Sequence, residues 1–351
     1  MSDTHLNSIN IQYFKAFKEF QLNLEGRHLL VYGANGSGKS SLYWALYTFL
    51  ESAGKATDDV QKYFDPVNNQ SLVNIHVPAP ENRTAFIKLT LKGDGQEEIF
   101  EVSNTKHQTK NSPVIAKANL ASDFITYRFF FKFADFRNSQ DFDIWALFER
   151  EILPFCRTTS GTDLNSEWLA ILSDQPDNQE HVGGAITKAR NEFDQKLNTF
   201  NSELLAVIDS IATKAKEFYT EHFADDAAAI ELELGITNPA HYDRTVKTLN
   251  APKLQLGIKD TGKVIHRPHV YLNEAKLTQI AISIRFAASL VNLHESPIKL
   301  LVLDDLLVSL DLSNRMKVVE ILLSETFDNY QKIILTHDLG FFREFRRMIG
   351  T

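Results

Sequence analysis

One short stretch constrains this chain more than any other. Residues 33–40 read Gly-Ala-Asn-Gly-Ser-Gly-Lys-Ser and fit the pattern G-x-x-x-x-G-K-[ST] of a phosphate-binding P-loop. Residues 28–32 (HLLVY) predict a short buried strand before the loop, and residues 41–51 predict a helix after it, which is the setting that such a loop requires. Inward-turned backbone N–H groups and the helix N-terminus would cradle a β-phosphate. Lys39 would reach the β- and γ-phosphates, and the Ser40 hydroxyl would ligate Mg²⁺.

Composition indicates a globular protein with a sizeable core. Of the 351 residues, 43% are hydrophobic, which suffices for one large domain or two smaller ones. The formal net charge of −8 argues against a surface that coats nucleic acid broadly. Local basic clusters remain open, although such clusters are more typical of a solvated face. The candidates are Arg128, Lys132 and Arg137, and Arg343, Arg346 and Arg347.

Several features predict a cytoplasmic protein without a membrane partner. The best candidate for a membrane span, residues 275–293, carries Lys276, Gln279 and Arg285 and is therefore not expected to cross a bilayer. No apolar signal core follows the polar first residues. Cys156 is the single cysteine, so an internal disulfide is excluded, and a packed thiol suits a reducing compartment.

The remaining chain alternates between strand and helix patterns, which predicts a mainly parallel sheet. Residues 186–218 carry an apolar stripe at helical spacing, and the antiparallel partner of this long helix is expected from helices between 141 and 173. Residues 60–82 predict a surface loop, and residues 112–123 predict a connector. Residues 124–136 are rich in aromatic side chains and are expected to contain a buried strand. The other predicted strands are 9–14, 20–24, a hairpin of 85–91 and 97–103, 227–236, 254–259, 299–303 and 332–335. The other predicted helices are 141–153, a short one near Trp168, 275–294 and 312–325.

A second hydrophobic run ends in two carboxylates. Residues 299–303 (KLLVL) predict a buried strand, and Asp304 and Asp305 follow it in the form of a Walker B segment. Asp304 would hold the Mg²⁺ shell, and Asp305 would polarise an attacking water as general base. Nearly the whole chain separates Lys39 from Asp304, whereas a compact nucleotide kinase or GTPase brings its second carboxylate much sooner. The nucleotide site is therefore expected to assemble from the two ends of the sequence.

The order of these segments resembles an ABC-type ATPase head of the SMC/RecF class. The chain presents, in turn, the P-loop, a long helix, LNEAK at 272–276, LLVLDD at 300–305, SLD at 309–311 and THD at 336–338. The resemblance brackets nearly the whole chain and implies an α/β fold, a two-lobed ABC ATPase head in which a mixed P-loop sheet and antiparallel β-structure carry a short helical hairpin insertion. The head would comprise residues 1–140 and 227–351, and the insertion residues 141–226.

The resemblance also implies roles for individual residues, with ATP and Mg²⁺ as cofactors. Residues 272–276 would be the signature motif, which contacts the γ-phosphate held by a second subunit. Asp311 would belong to the D-loop at the dimer interface, and His337 would be the switch histidine that senses the γ-phosphate. Lys15 matches a basic residue that reaches the nucleotide phosphates, and Gln140 is the candidate for the Q-loop glutamine. The implied nucleotide contacts are Lys15, Asn35, Gly36, Ser37, Gly38, Lys39, Ser40, Ser41, Asn273, Ala275 and Asp311, with Ser40, Asp304 and Gln140 at the metal and Asp305 and His337 as catalytic residues.

The signature segment departs from the family pattern L-S-G-G-[QE]. Asn273 stands in place of the serine, and Glu274 and Ala275 stand in place of the two glycines. Asparagine can still donate a hydrogen bond to phosphate. Glu274 adds a negative charge, which would repel a polyphosphate unless the side chain points away. The inserted helical segment is short, much as in RecF, so the chain is not expected to form a long DNA-embracing ring by itself.

These features favour an ATP-binding and ATP-hydrolysing switch that forms a homodimer through an ATP sandwich and signals to DNA or to a separate effector protein. By family analogy, the divergent signature and the short insertion favour antiviral defence, and DNA repair of the RecF type is the alternative. A second hypothesis is a non-hydrolysing interaction module, in which ATP is structural and helix 186–218 docks a partner. A P-loop small-molecule kinase is disfavoured by the distance along the chain between Lys39 and Asp304 and by His337.

Overall fold

The computed structural model describes residues 4–126, 129–130, 133, 136, 141–158, 161–176, 184–224, 230–291, 296–305 and 312–350. Its contacts divide the chain into two compact units. We call Met1–Tyr127 with His294–Thr351 the P-loop unit, and Arg128–Leu293 the helical unit. The predicted head of 1–140 and 227–351 does not coincide with the P-loop unit, because residues 231–291 belong to the same compact unit as the long helix.

The strands and helices are numbered along the described residues. The strands are β1 (His5–Phe14), β2 (Phe17–Asn23), β3 (Leu29–Tyr32), β4 (Phe86–Gly93), β5 (Gln96–Ser103), β6 (Asp123–Thr126), β7 (Glu231–Asn238), β8 (His241–Asp243), β9 (Thr248–Asn250), β10 (Lys253–Asp260), β11 (Lys263–Ile265), β12 (Leu300–Asp304) and β13 (Gln331–Thr336). The helices are α1 (Lys39–Glu51), α2 (Thr57–Gln61), α3 (Pro113–Ala121), α4 (Trp145–Glu151), α5 (Leu164–Ser173), α6 (Gly184–His222), α7 (Pro268–Tyr271), α8 (Glu274–Val291), α9 (Leu312–Leu323) and α10 (Leu339–Met348).

A four-stranded parallel sheet forms the centre of the P-loop unit, in the order β3-β13-β12-β6. Strands β12 and β13 are buried along their whole length, and their apolar runs LLVL (300–303) and IIL (333–335) are typical of central parallel strands. Helix α1 packs against β12 and β13. The order brings the ends of β3, β12 and β13 to one edge although they lie far apart in sequence, and it confirms the predicted parallel sheet.

An antiparallel sheet, β2-β1-β4-β5, completes the β-structure described in this unit. The β4–β5 hairpin turns at Asp94 and Gly95, whose φ angles of 51° and 77° are both left-handed, as a tight two-residue hairpin turn requires. The Gln331 side chain joins the two sheets, because its Oε1 accepts the Leu6 N–H (2.8 Å) and its Nε2 donates to the Leu6 carbonyl (3.0 Å). A mixed α/β head with one parallel and one antiparallel sheet is therefore confirmed.

The 39-residue helix α6 dominates the helical unit. It packs most extensively on α8 and β7, while α5 covers a smaller part through Trp168, whose ring stacks on Phe200 at 5.4 Å between centroids. The expected antiparallel partner from residues 141–173 is thus wrong for most of the helix. Antiparallel sheet β11-β10-β7 provides the strand that packs on α6, and the predicted strands 227–236 and 254–259 correspond to β7 and β10.

Other local predictions were corrected by the structure. Residues 112–123 were expected to be a connector, but they contain α3, where the Ser112 hydroxyl accepts the Ile115 N–H and Pro113 occupies the first turn. The helix expected from Asp141 begins only at Trp145, whose N–H is bound by Asp143 (3.0 Å). The strand expected within 124–136 is the four-residue β6. Residues 60–82 lie largely outside regular structure, as expected, yet they bury Phe64, Val73 and Val77.

Candidate functional site

The P-loop follows β3 directly and leads into α1. The Gly33 N–H donates to the Thr336 carbonyl (3.1 Å), which fixes the start of the loop against β13. Gly36 and Gly38 have φ angles of 85° and 97°, the left-handed region that glycine adopts without strain. At Gly33 an added Cβ would lie 2.4 Å from the Ser37 Oγ, so the Ser37 side chain would have to turn away to admit one. The predicted loop therefore has the backbone conformation that a phosphate cradle needs.

The ammonium group of Lys39 lies inside this loop. Its Nζ donates to the carbonyls of Gly33 (2.7 Å) and Ala34 (3.2 Å), and the residue is only 7% exposed. Of the other residues assigned to phosphate and metal here, Asn35, Gly36, Ser37 and Ser40 are exposed, whereas Gly38 and Ser41 are buried. A buried cation beneath exposed backbone and hydroxyl groups gives the loop an electrostatic preference for an anion.

The turn between β1 and β2 is hydrogen-bonded to the first turn of α1. The Ser41 Oγ accepts the Ala16 N–H (3.2 Å), and the neighbouring Lys15 has a left-handed φ of 48°. The Lys15 ammonium lies 5.5 Å from the centroid of the Trp44 ring, in a cavity of about 200 Å³, and burial lowers the pKa of Lys15. The structure thus brings Lys15 beside α1, on the indole ring of Trp44. Its predicted contact with nucleotide phosphates stays a prediction.

Asp304 ends strand β12 and is 8% exposed. Its register partner on the neighbouring strand β6 is Thr126. Phe124 lies two residues earlier on β6, and its ring centroid is 5.4 Å from that of Tyr43 and 5.3 Å from that of Tyr47, both on α1. Side chains alternate along a strand, and register partners in a parallel pair point to the same face. Asp304 therefore faces α1, the helix whose first turn carries Ser40.

The oxygen groups of Asp304 and Ser40 suit Mg²⁺, a hard cation that binds through one or two carboxylates together with the phosphates of its substrate. Within the described residues, no group of three or more His, Cys, Asp or Glu side chains is placed to hold a metal ion.

Asp305 and His337 are held together at the same edge of the sheet. The Asp305 Oδ1 accepts both the backbone N–H of His337 (2.9 Å) and the Nδ1–H of its ring (2.8 Å). Since a carboxylate only accepts, Nδ1 carries the proton, and in the neutral ring Nε2 has a lone pair. Asp305 has a φ of 52°, and its N–H donates to the Leu335 carbonyl (3.0 Å). A non-glycine residue in this sparsely populated conformation, beside Asp304, is typical of a functional site.

A second tie joins the same two chain segments. Arg315, in the first turn of α9, forms an ion pair with Asp338, which directly follows His337. Asp338 also caps α10 by accepting the Phe341 N–H (2.8 Å), and its own N–H donates to the Thr336 hydroxyl (3.1 Å). The hydrogen bond from Phe341 and the charge of Arg315 hold the pKa of Asp338 below its usual value. Asp338 is therefore a charged anchor for the backbone on either side of His337.

In the helical unit, the segment 272–276 forms the start of α8. The Asn273 Oδ1 accepts the Lys276 N–H (2.9 Å), so this asparagine caps the helix and keeps its Nδ2 group as a donor. Asn273 and Glu274 are exposed, and Ala275 is half-buried. Glu274 lies in the first turn, where the helix dipole favours a carboxylate. The substitutions that depart from the family pattern thus produce a well-capped helix N-terminus with an exposed amide.

Comparison with known proteins identifies the family of this chain. The model of the RecF/RecN/SMC N-terminal domain matches residues 5–351. The chain belongs to this family. Among solved structures, the recombination mediator protein RecF with ATP is 14% identical to this chain and has a TM-score of 0.55. The match covers 95% of this chain and 94% of the RecF chain. A second RecF structure, titled RecF-ATPrS, is 14% identical, covers 96% and 94%, and has a TM-score of 0.50. An SMC head bound to the C-terminal winged-helix domain of ScpA is 13% identical, covers 97% and 92%, and has a TM-score of 0.49. No curated protein sequence matches.

For this RecF/SMC-type head, some predicted residues lie outside the described part of the chain. They are Gln140, Asp311 with the rest of segment 309–311, and the basic residues Arg128, Lys132 and Arg137. The second basic cluster lies on α10, where Arg343, Arg346 and Arg347 are exposed; Arg347 pairs with Glu344, and Arg346 lies over the Phe342 ring. Sequence reasoning did not single out Arg315 or Thr126, because only the strand order brings them to the site. No helix within the described ranges is long and apolar enough to cross a membrane.

Proposed function

We propose that this RecF/SMC-type head binds ATP with Mg²⁺, hydrolyses it, and uses bound ATP to hold two copies of the chain together. The observation that carries the proposal is the pairing of Asp305 with His337 at the sheet edge that also presents the P-loop and Asp304. A loop that only held nucleotide would need the cradle and the metal carboxylate. A second carboxylate bound to a histidine adds a proton acceptor.

Binding would rest on the P-loop. The backbone N–H groups of Gly36, Gly38, Lys39 and Ser40 would bind the phosphates, and the Lys39 ammonium would exchange its carbonyl partners Gly33 and Ala34 for phosphate oxygens. Ser40 and Asp304 would hold Mg²⁺, which supplies charge neutralisation for the β- and γ-phosphates. ATP binding is typical of this family, and the RecF structure with the higher TM-score is titled as its ATP form.

Hydrolysis would rest on Asp305. Its Oδ1 is occupied by two hydrogen bonds from His337, so Oδ2 is the oxygen that would accept a proton from the attacking water. His337 holds the carboxylate in place through Nδ1–H, and the lone pair on Nε2 gives it a second polar atom that can respond to a water or to a protonated phosphate. Asp305 would thus act as general base, with His337 as its positioning and sensing partner.

Dimerisation would bring a second nucleotide contact to each site. The N-terminus of α8 carries a favourable partial charge for an anion, and the Asn273 Nδ2 and the backbone at Ala275 are the donors nearest to it. A homodimer related by a two-fold axis would use the same surfaces twice, with Asn273 and Ala275 of one copy facing the nucleotide bound by Gly36, Lys39 and Ser40 of the other.

Phosphate release at steady state, measured with and without Mg²⁺, tests hydrolysis and separates it from the alternative of a non-hydrolysing module. We expect metal-dependent turnover that saturates with ATP. Release at the rate of a Lys39→Ala control would instead support ATP as a structural ligand. Sedimentation of the Asp305→Asn protein with and without ATP and Mg²⁺ tests the dimer, and a monomer in both conditions would contradict it.

We assign the switch to antiviral defence, acting on DNA or on a separate effector protein, because the signature segment diverges and the helical insertion is short. This assignment rests on family analogy, and repair of the RecF type is the competing role. Two measurements on a strain that lacks the chain distinguish them. Loss of protection against phage, with ultraviolet survival unchanged, supports defence. Ultraviolet sensitivity with unchanged plating of phage supports repair.

A further inference from the structure

The hydroxyl group of Thr126 stands out among the polar groups at the sheet edge. Its Oγ1 is buried, and it has no hydrogen-bond partner among the described residues. Burying a hydroxyl without a partner costs folding free energy, and valine would fill nearly the same space without that cost. A buried hydroxyl without a hydrogen-bond partner calls for an explanation, and a bound water or ion is one.

The position of Thr126 supplies a reason. It is the last residue of β6 and lies in register with Asp304, the last residue of β12. Phe124, two residues earlier on the same face, packs on the rings of Tyr43 and Tyr47 of α1. The Thr126 side chain therefore points to the α1 side of the sheet, as Asp304 does, at the carboxyl ends of the strands. This is the crevice in which open α/β sheets bind their ligands.

We propose that the Thr126 hydroxyl completes the metal site by hydrogen-bonding a water molecule of the Mg²⁺ shell beside Asp304. Mg²⁺ dehydrates reluctantly and keeps several waters, and the polar groups that hold those waters orient the metal. A neutral hydroxyl that both donates and accepts suits a bound water, and it adds no charge next to Asp304. This inference rests on the proposed binding of Mg²⁺ with ATP.

Two variants of Thr126 separate this role from a merely structural one. Thr126→Val removes the hydroxyl at nearly constant volume, and Thr126→Ser keeps it. Thr90→Val, at a buried threonine of the antiparallel sheet, is the matched control. The probe is Mn²⁺, whose binding to the ATP complex is followed by electron paramagnetic resonance. Affinity for ATP without metal and the melting temperature without ligands are measured in parallel.

We expect Thr126→Val to melt at the same temperature as the natural chain or higher, because it removes an unsatisfied polar group, while Mn²⁺ affinity falls about five- to tenfold. Thr126→Ser and Thr90→Val should stay within twofold of the natural Mn²⁺ affinity, a margin of roughly experimental error. If Thr126→Val binds Mn²⁺ as tightly as the natural chain, the role of Thr126 is wrong, but the proposed function is unaffected. A natural chain that binds no Mn²⁺ in the presence of ATP overturns the proposed function as well.

Discussion

Two regions of this chain, the edge of the parallel sheet and the start of α8, carry the residues of the proposed nucleotide contacts, and they are built in opposite ways. At the edge of the parallel sheet, Lys39 binds loop carbonyls, and Asp305 binds His337. At the start of α8, the polar groups are exposed, and Asn273 makes only the local bond that caps the helix. The first region has its own internal partners, whereas the second presents its groups outward.

This difference suggests that the sheet edge and the start of α8 serve different functions. Under the proposed function, the cation, the carboxylates and the histidine of one compact unit would bind nucleotide and position water within a single chain. A capped helix N-terminus contributes a modest electrostatic attraction by itself, worth about 0.3–1 kcal/mol for an exposed charge. We therefore expect substitutions at the sheet edge to change binding and chemistry, and substitutions at the start of α8 to change assembly.

The largest effect is expected for Lys39→Ala, which removes the buried cation of the sheet-edge site. ATP affinity should fall by at least about a hundredfold, since a charge-assisted contact to phosphate in a desolvated loop is lost. Calorimetry of ATP binding measures this, with Lys18→Ala, at an exposed lysine, as control. Unchanged affinity in Lys39→Ala would show that the P-loop does not hold the nucleotide.

Asp305→Asn should separate binding from chemistry within the same region. The amide oxygen can still accept the two bonds from His337, but the group can no longer take a proton, so hydrolysis should slow by about a hundredfold. ATP affinity should remain within about twofold of the natural value, because Lys39 and Ser40 are intact. Single-turnover measurements give the rate. A rate equal to that of the natural chain would remove Asp305 from the role of base.

The sheet-edge region was largely predictable from the sequence, and the reason is local. The glycines and Lys39 of the P-loop and the apolar run before Asp304 are contiguous patterns that specify their own backbone. Helix α3 carried a contiguous signal too, Ser112 before Pro113, which the prediction of a connector overlooked. The positions of Thr126 beside Asp304 and of Arg315 beside Asp338 depend on the tertiary fold, which no local pattern specifies. The stripe on α6 showed that one face is buried, but it could not show that α8 and β7 cover it.

Ala275→Arg tests the other side of the comparison, the start of α8. A bulky cation there would keep a second copy from bringing its backbone close to phosphate, so the ATP-dependent dimer of Asp305→Asn should weaken at least about tenfold. Sedimentation with ATP and Mg²⁺ measures the dimer, and Ala275→Ser serves as a small-residue control. ATP affinity of the monomer should be unchanged. If Ala275→Arg lowered that affinity or left the dimer intact, the division between the two regions would fail.

The smallest effect is expected for loss of the ion pair between Arg315 and Asp338, which tests whether this pair positions His337 at the sheet edge. Arg315→Ala and Asp338→Asn should each lower kcat about fivefold with KM for ATP nearly constant, because they loosen the segment that holds His337 against Asp305. Asparagine is as good a helix cap as aspartate, so Asp338→Asn keeps the bond to Phe341 and loses only the charge.

The control for this tie is Arg347→Ala, which breaks the exposed pair with Glu344 on the same helix, α10, and should leave kcat unchanged. Because Arg315 and Asp338 act through one contact, the double variant should lose no more than either single variant. Labelled histidine adds a readout that does not require turnover: the Nδ1-protonated form of the His337 ring should become less populated in Arg315→Ala. Additive losses, or an unchanged His337 signal, would mean that the ion pair stabilises α9 and α10 without positioning the histidine.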